Sequence, residues 1–371
     1  MKENNEKPRV LFLVQLPPPI HGASMMNEYL VNSERLKDNY DIDVLNLDFV
    51  NNVSEIGRFT FGKLLQTFNL SFILIKLLIN KKYDLVYFTL SPIGGAFYRD
   101  TIFVSILKLF GLKICYHLHG KGISTEIKHK IKKILYKYVF KDSSVICLSK
   151  MLSYDIDKVH NGSIYYVSNG IPYQKIDGLG NRNIKTHEIV YLSNLVRSKG
   201  VLVLIEALSM LQSQNVQFSA KIIGSSTKDL TVDELKQIVV DKGLNDVVKV
   251  LGPIYGNSKF LEINSSAIFC FPTYYRNECF PLSILESMMV GLVPVSTDNG
   301  AIPEIIDHGV NGMIVKMNDP SDLAEKLSIL LNNVGKLEAM SINAKLKYKK
   351  LYTIEVFENN MLDTFKSILN E

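Results

Sequence analysis

Ala267-Ile268-Phe269-Cys270-Phe271-Pro272, followed after a short loop by Glu278-Cys279-Phe280-Pro281-Leu282-Ser283-Ile284-Leu285-Glu286, decides how this chain folds. The first run is short, apolar and unbroken, as a strand buried on both faces of a parallel sheet must be. Pro281 falls where proline is tolerated, in the first turn of a new helix. Leu282, Leu285, Met288 and Met289 then recur at helical spacing. One carboxylate thus precedes a helix N-terminus and the other lies in its second turn. Between them stand backbone N–H groups at the positive end of a helix dipole, which suit phosphate, while carboxylates accept sugar hydroxyls. A lone Glu-x7-Glu is common on solvated surfaces, so the motif gains meaning only from its surroundings.

Outward from this segment, strand and helix patterns alternate. Strand-like runs at 10–14, 42–47, 84–90, 113–118, 144–148 and 163–167 form one series. Runs at 188–192, 220–223, 247–251, 267–271, 293–296 and 313–315 form a second. Repeated βαβ units predict parallel sheets with helices on both faces, and two series predict two doubly wound domains. A chain of 371 residues also exceeds what one core usually supports. The join is placed from Ser168-Asn-Gly-Ile-Pro172 through Asn181-Arg-Asn183, where Gly, Asn and Pro cluster.

With 47% hydrophobic and 21% charged residues the composition is globular. The polar start Met1–Lys7 gives no sign of a secretory signal. The most apolar stretch, 70–79, reads as half a spanning helix broken by Lys76, so no membrane crossing is expected. Cys115, Cys147 and Cys270 lie in apolar runs, and no C-x-x-C occurs, as in reduced proteins of a cytoplasm. The net charge of +5 is concentrated: residues 121–141 hold seven lysines against Glu126, leaving the rest near neutral. Ile127, Ile131, Ile134, Leu135 and Tyr138 predict one amphipathic helix here, its apolar side packed on its own domain. Its lysine face could meet an anionic membrane surface or simply stay solvated. Nucleic acid is not expected, since no arginine lies among the lysines.

Ligands of open parallel sheets bind at the carboxyl ends of strands, which sorts the remaining candidates. Asp41/Asp43 precede their strand, and Asp155/Asp157 look helical, where i and i+2 point apart, so neither D-x-D triplet is read as a metal site. No G-x-G-x-x-G or Walker sequence is present. Strand ends do carry Pro17-Pro-Pro-Ile-His21-Gly22, His117-Leu-His119-Gly120 and Ser193-Asn194-Leu-Val-Arg197-Ser-Lys199-Gly200. Cationic groups at the last of these would meet diphosphate charge.

These pieces in this order resemble the retaining nucleotide-sugar glycosyltransferases of family four. The match covers nearly the whole chain and is densest from 187 to 318; its most specific part runs from Asn277 to Val295 and through Asp298-Asn-Gly300-Ala-Ile-Pro303-Glu304 and Asp307-His-Gly309-Val-Asn-Gly312. The resemblance implies a GT-B fold, α/β, with two Rossmann-like domains facing a central cleft. It implies an acceptor-side domain over 1–170, with the helix 354–371 crossing back onto it, and a nucleotide-sugar-binding domain over 171–353. It implies that Glu286 binds ribose hydroxyls and Glu278 the transferred sugar. Lys199, helped by Asn194, Arg197 and the amides near Phe280 and Leu282, would hold the diphosphate. His119, His21 and Gly22 would line the acceptor side, and Glu278, His119 and Lys199 form the implied catalytic set. The donor is expected to be a UDP- or GDP-sugar, the acceptor a saccharide or lipid-linked saccharide of bacterial surface polysaccharide synthesis, with no metal. The expected location is cytoplasmic, peripheral at the inner face of the membrane.

The chain departs from the family where Ser193-Asn194-Leu195 stands for Gly-Arg-Leu, and at Cys279 and Ser287. Arg197 could replace the missing arginine. A sugar-nucleotide epimerase or hydrolase, or a non-catalytic sugar-nucleotide-binding subunit, remain the competing classes.

Overall fold

The computed structural model describes residues 6–49, 61–174 and 185–371. Residues 1–5 of the polar start and Asn181–Asn183 of the predicted join lie outside them. Two compact units are present, Met1–Asn169 with Ile354–Glu371, and Gly170–Thr353.

In the first unit the apolar runs become β1 (Arg9–Val14), β2 (Asp41–Asn46), β3 (Leu85–Phe88), β4 (Ile114–Leu118), β5 (Ser143–Cys147) and β6 (Ile164–Tyr166). They pair in parallel in the order β2-β1-β3-β4-β5-β6. The helices are α1 (Gly22–Asn32), α2 (Glu34–Asn39), α3 (Phe61–Asn80), α4 (Gly94–Leu109), α5 (Ile123–Glu126), α6 (Lys130–Phe140) and, at the chain's end, α14 (Ile354–Asn370). Right-handed crossovers that all step the same way along the sheet put α3, α4 and α6 on one face. Their inward residues, among them Leu74, Phe103, Val104, Tyr136 and Phe140, share a core with Leu11, Leu13, Val86 and Phe88. Strand alternation turns Phe12 and Tyr87 to the opposite face, where Phe365 of α14 meets them at ring distances of 6.1 and 5.6 Å. Lys113 Nζ donates to the Ile368 carbonyl at 2.9 Å, fixing the end of the same helix.

Three local readings are corrected. Asp41 and Asp43 lie within the amino half of β2, not before it, because Arg9 in register with Asp41 pairs with it at 2.7 Å. Asp43 is held by Lys81 and Tyr83. Asp155 ends a 3-10 turn, Lys150–Asp155, and its carboxylate accepts from the amides of Gly122, Ile123 and Ser124, so it caps α5; Asp157 lies beyond that turn. The apolar stretch 70–79 is the second half of α3, a 20-residue helix whose first half mixes polar residues into the pattern. Gly62–Asn80 has the length and composition to cross a membrane, yet Leu70, Leu74 and Leu78 are built into the core.

The basic segment differs more. It forms two helices, α5 and α6, broken at Ile127–His129, so one helical phase does not run through it. Tyr136, Val139 and Phe140 turn inward, Tyr136 stacking on Phe97 at 3.9 Å and donating to the Pro92 carbonyl. Ile131 and Ile134, expected to pack, are 84% and 70% exposed.

The second unit contains β7 (Lys185–Leu192), β8 (Ser219–Ile223), β9 (Val248–Gly252), β10 (Ser266–Phe271), β11 (Val293–Thr297) and β12 (Met313–Val315), in the parallel order β12-β11-β10-β7-β8-β9. Its helices are α7 (Val201–Ser213), α8 (Val232–Asp241), α9 (Gly256–Asn264), α10 (Leu282–Val290), α11 (Ile302–Ile305), α12 (Pro320–Leu331) and α13 (Val334–Leu351). The sheet grows one way from β7 through β8 and the other way through β10, so the switch point lies between β7 and β10. The loops leaving these two strands carry Lys199 and Glu278.

Candidate donor and acceptor sites

At the β7/β10 switch point, two loops are stitched together by backbone contacts. The Tyr274 amide donates to the Ser198 carbonyl at 2.8 Å. Gly200 has φ +89°, and a Cβ there would come within 2.0 Å of the Pro272 carbonyl oxygen, so only glycine lets the loops close. This contact sets Lys199 Nζ 2.6 Å from Glu278 Oε2, with both side chains mostly buried. The Lys199 ammonium also sits 4.6 Å from the Tyr275 ring centroid. Thr273 Oγ1 lies 3.5 Å from the same Glu278 oxygen. The far side of the loop is pinned by Asn299, whose amide donates to the Tyr275 carbonyl at 2.7 Å, and by the Ala301 amide on Cys279. Gly300, φ +61°, permits this approach, since a Cβ would meet the Glu278 carbonyl oxygen at 2.5 Å.

α10 begins directly after this loop. Pro281 is its N-cap residue, one position earlier than the first turn, and a proline side chain makes no capping hydrogen bond. Its first amides therefore have the orientation that favours an anion. Phe280 is buried, with its ring edge-on to Tyr352 at 5.8 Å. Leu282 is partly exposed at the helix start. Glu286, one turn on, is paired with Lys259 of α9 at 2.7 Å, each side chain less than a fifth exposed. Each of the two glutamates thus has its own lysine.

Lys259 escaped the sequence reading. It is one lysine in an ordinary amphipathic window, and only the packing of α9 beside α10 gives it a partner. Tyr275 and Thr273 were missed for the same reason. Arg197 has a different partner: its backbone N–H and guanidinium both engage Asp229, the side chains 3.5 Å apart and nearly half exposed. Asn194 is exposed on the same loop.

In the first unit, the ends of β1 and β4 bring histidines together, with Tyr87 of β3 against one of them. His21 caps α1: its Nδ1 accepts from the Ser24 amide at 3.2 Å, and Ser24 Oγ accepts from the His21 amide at 3.0 Å. Gly22 is the first residue of that helix. His117 Nδ1 is 2.7 Å from the Tyr87 hydroxyl, and the His117 and His119 rings are 4.1 Å apart. Among the described residues, Nε2 of each of these two histidines is buried without a hydrogen-bond partner. Burial, reinforced by His21, pushes the His119 imidazole down to about 3. Burial with His119 nearby holds His117 well below its ordinary value.

Residues 175–347, nearly the whole second unit, match the family model of glycosyl transferases group 1. The chain is 32% identical over 165 residues to the amylovoran biosynthesis glycosyltransferase AmsK of Erwinia amylovora, covering 43% of this chain and 39% of that protein. It is 26% identical over 217 residues to the capsular polysaccharide biosynthesis glycosyltransferase CapM of Staphylococcus aureus, covering 55% and 54%. A glycosyltransferase of Methanocaldococcus jannaschii is 26% identical over 237 residues, covering 63% and 62%. The chain spans less than two thirds of the length of each of these relatives.

Solved structures share the fold of both units. Anabaena Alr3699/HepE, crystallised with UDP, aligns with a TM-score of 0.74 at 18% identity, over 97% of this chain and 100% of that one. Sucrose-phosphate synthase of Thermosynechococcus elongatus gives 0.76 at 15%, over 98% and 100%. These likenesses show the two-unit GT-B fold.

Proposed function

We propose that the chain is a retaining glycosyltransferase. It moves a sugar from a UDP- or GDP-sugar to a saccharide or lipid-linked acceptor in bacterial surface polysaccharide synthesis. The observation that carries this reading is the pair of lysine–glutamate couples, Lys199–Glu278 and Lys259–Glu286, on either side in sequence of a helix start whose N-cap is a proline. The polysaccharide-synthesis names of AmsK and CapM support the pathway class.

In this reading Glu286 accepts the ribose hydroxyls and Glu278 those of the transferred sugar. Lys199 and the first amides of α10 meet the diphosphate. As the bond from the anomeric carbon to phosphate oxygen breaks, negative charge grows on the diphosphate. Fixed cations stabilise that charge more than the ground state. The acceptor oxygen attacks from the same face and its proton passes to the leaving phosphate, so Glu278 positions rather than attacks. His119 belongs to the acceptor side, where its unpartnered Nε2 suits a hydroxyl. Lysine charge performs the role a metal plays elsewhere, and EDTA is expected to leave turnover unchanged. Inhibition reversed by a divalent ion would sink the metal-independent mechanism.

The enzyme is placed peripherally at the inner face of the cytoplasmic membrane, held by the basic segment 121–141. Product analysis with labelled sugar nucleotide, with and without a lipid-linked saccharide, tests the function. Transfer to the acceptor is expected, whereas an epimerised or hydrolysed nucleotide product formed equally without acceptor would replace it. Glu286→Gln should raise the donor dissociation constant about 10- to 100-fold, the scale of a charge-assisted hydrogen bond, with a smaller change in kcat. Lys259→Met should follow it, because Lys259 orients Glu286. Calorimetric titration with UDP checks both, and wild-type affinity in both variants would remove Glu286 from the nucleotide.

A further inference from the structure

The outer layer of the first unit has a composition its fold does not need. On α3, Leu65, Phe68, Phe72 and Ile79 lie outward, Phe68 60% and Phe72 68% exposed. On α4, Tyr98, Ile102 and Leu109 lie outward at helical spacing, and on α6 the outward residues are Ile131, Ile134 and Tyr138. These helices share one sheet face and touch in sequence, α3 on α4 and α4 on α6. Lys108 of α4 donates to the Tyr138 carbonyl, and the Tyr138 hydroxyl donates to Ser105, which joins the last two outer rows. Exposed apolar side chains scattered singly are ordinary, but adjoining rows on three neighbouring helices mark an interaction surface.

The charge on this layer selects the partner. α3 and α6 contain no acidic residue, and Asp100 of α4 is buried against Arg99. Lys130, Lys137 and Lys141 lie on α6 or at its end, one helical row beside Ile131, Ile134 and Tyr138. Among the described residues, no ion pair engages Lys130 or Lys137; Lys141 approaches Asp142 at 4.0 Å. A second copy docking through the same face by a two-fold axis would set lysines against lysines. An anionic bilayer matches both features, apolar side chains entering the acyl boundary and lysines meeting headgroups.

We infer that the outer faces of α3, α4 and α6 insert into an anionic bilayer, with the lysines of α6 as their headgroup contacts. This deepens the peripheral placement proposed above and rests on it. There the attachment is electrostatic and reversible by salt; here burial of apolar side chains holds the protein where charge is screened. The basic helix departs from what its sequence suggests: its isoleucines, as well as its lysines, face outward.

The chain contains no tryptophan, so Ile134→Trp introduces a single reporter. With vesicles of phosphatidylcholine and phosphatidylglycerol, its emission should shift to the blue and be quenched by brominated acyl chains. The full chain should co-sediment with these vesicles and retain a measurable bound fraction at about 1 M salt, where the screening length falls to about 3 Å. Ile131→Ser with Ile134→Ser should lower partitioning about 10-fold or more while all lysines remain, with an unchanged melting temperature confirming the fold. Phe68→Ser with Phe72→Ser should do the same from α3. Wild-type partitioning of both double variants, with complete release by salt and unshifted emission, would overturn insertion and leave the lysine attachment standing. No binding of the wild type to anionic vesicles would overturn both. A concentration-dependent dimer that the same substitutions abolish, without vesicle binding, would assign the face to a second copy and overturn the inference.

Discussion

Lys199→Ala is expected to lower kcat/KM about 100-fold or more, the scale of losing one fixed charge partner of a developing anion. Steady-state kinetics on a correctly folded variant would show it, and a loss under 10-fold would remove Lys199 from the reaction. The complication is the 2.6 Å pair with Glu278, of which the carboxylate is 8% and the lysine 21% exposed. Removing one member of such a pair leaves the other charge desolvated, at a cost of about 3–5 kcal/mol when burial is complete and less here. Lys199→Ala and Glu278→Ala should therefore both lower the melting temperature. Lys199→Met combined with Glu278→Gln removes both charges and should recover much of that stability. It should remain as inactive as the single lysine variant, which separates the catalytic from the structural contribution of the pair. Glu278→Gln alone should reduce turnover more than donor affinity, because it alters the placement of the reacting sugar.

The strands were legible because parallel strands buried on both faces must be apolar and unbroken, and Ala267–Phe271 and Ile114–Leu118 could hardly fold otherwise. The second unit was further marked by glycines whose absence of Cβ is a packing requirement, Gly200 against Pro272 and Gly300 against Glu278. Such positions leave a sequence trace. Side-chain partnerships across elements do not: nothing around Lys259 announces that α9 will bring it to Glu286, and nothing around Asp229 announces that it will hold Arg197. The basic segment failed for a different reason. Its isoleucines fit a helical period, and a period identifies a face without saying which side of the helix the core occupies. Two aromatic residues, Tyr136 and Phe140, have more area to bury and took the inward positions, which left Ile131 and Ile134 outside.

Acidification from pH 7.5 to 5 should cost the first unit about 2 kcal/mol of stability from His119, with His117 adding in the same direction. Unfolded histidines titrate near 6.5, whereas His119 in the fold is pushed down to about 3 and His117 well below its ordinary value. Both stay neutral in the native state and gain a proton only on unfolding, so the unfolded chain binds more protons as pH falls. Their stabilisation is complete above about pH 6.5 and declines below it, at about 1.4 kcal/mol per unit for each ring. His21, lowered by burial, adds in the same direction. Asp100, raised by burial, opposes it wherever its native carboxyl holds a proton that the unfolded chain has lost. The depressed carboxylates Asp43 and Glu371 begin to matter only as pH nears the ordinary carboxylate range. Calorimetry across this range should show a falling transition, and His119→Gln should roughly halve its slope. Should that variant fail to fold, proton resonances of the wild-type imidazoles provide the check: two must remain neutral at pH 5. Titration of all seven histidines near 6.5 would dismantle the argument. In the proposed acceptor-side role, a ring that stays neutral can donate one hydrogen bond to a sugar hydroxyl or accept one from it, but supplies no positive charge.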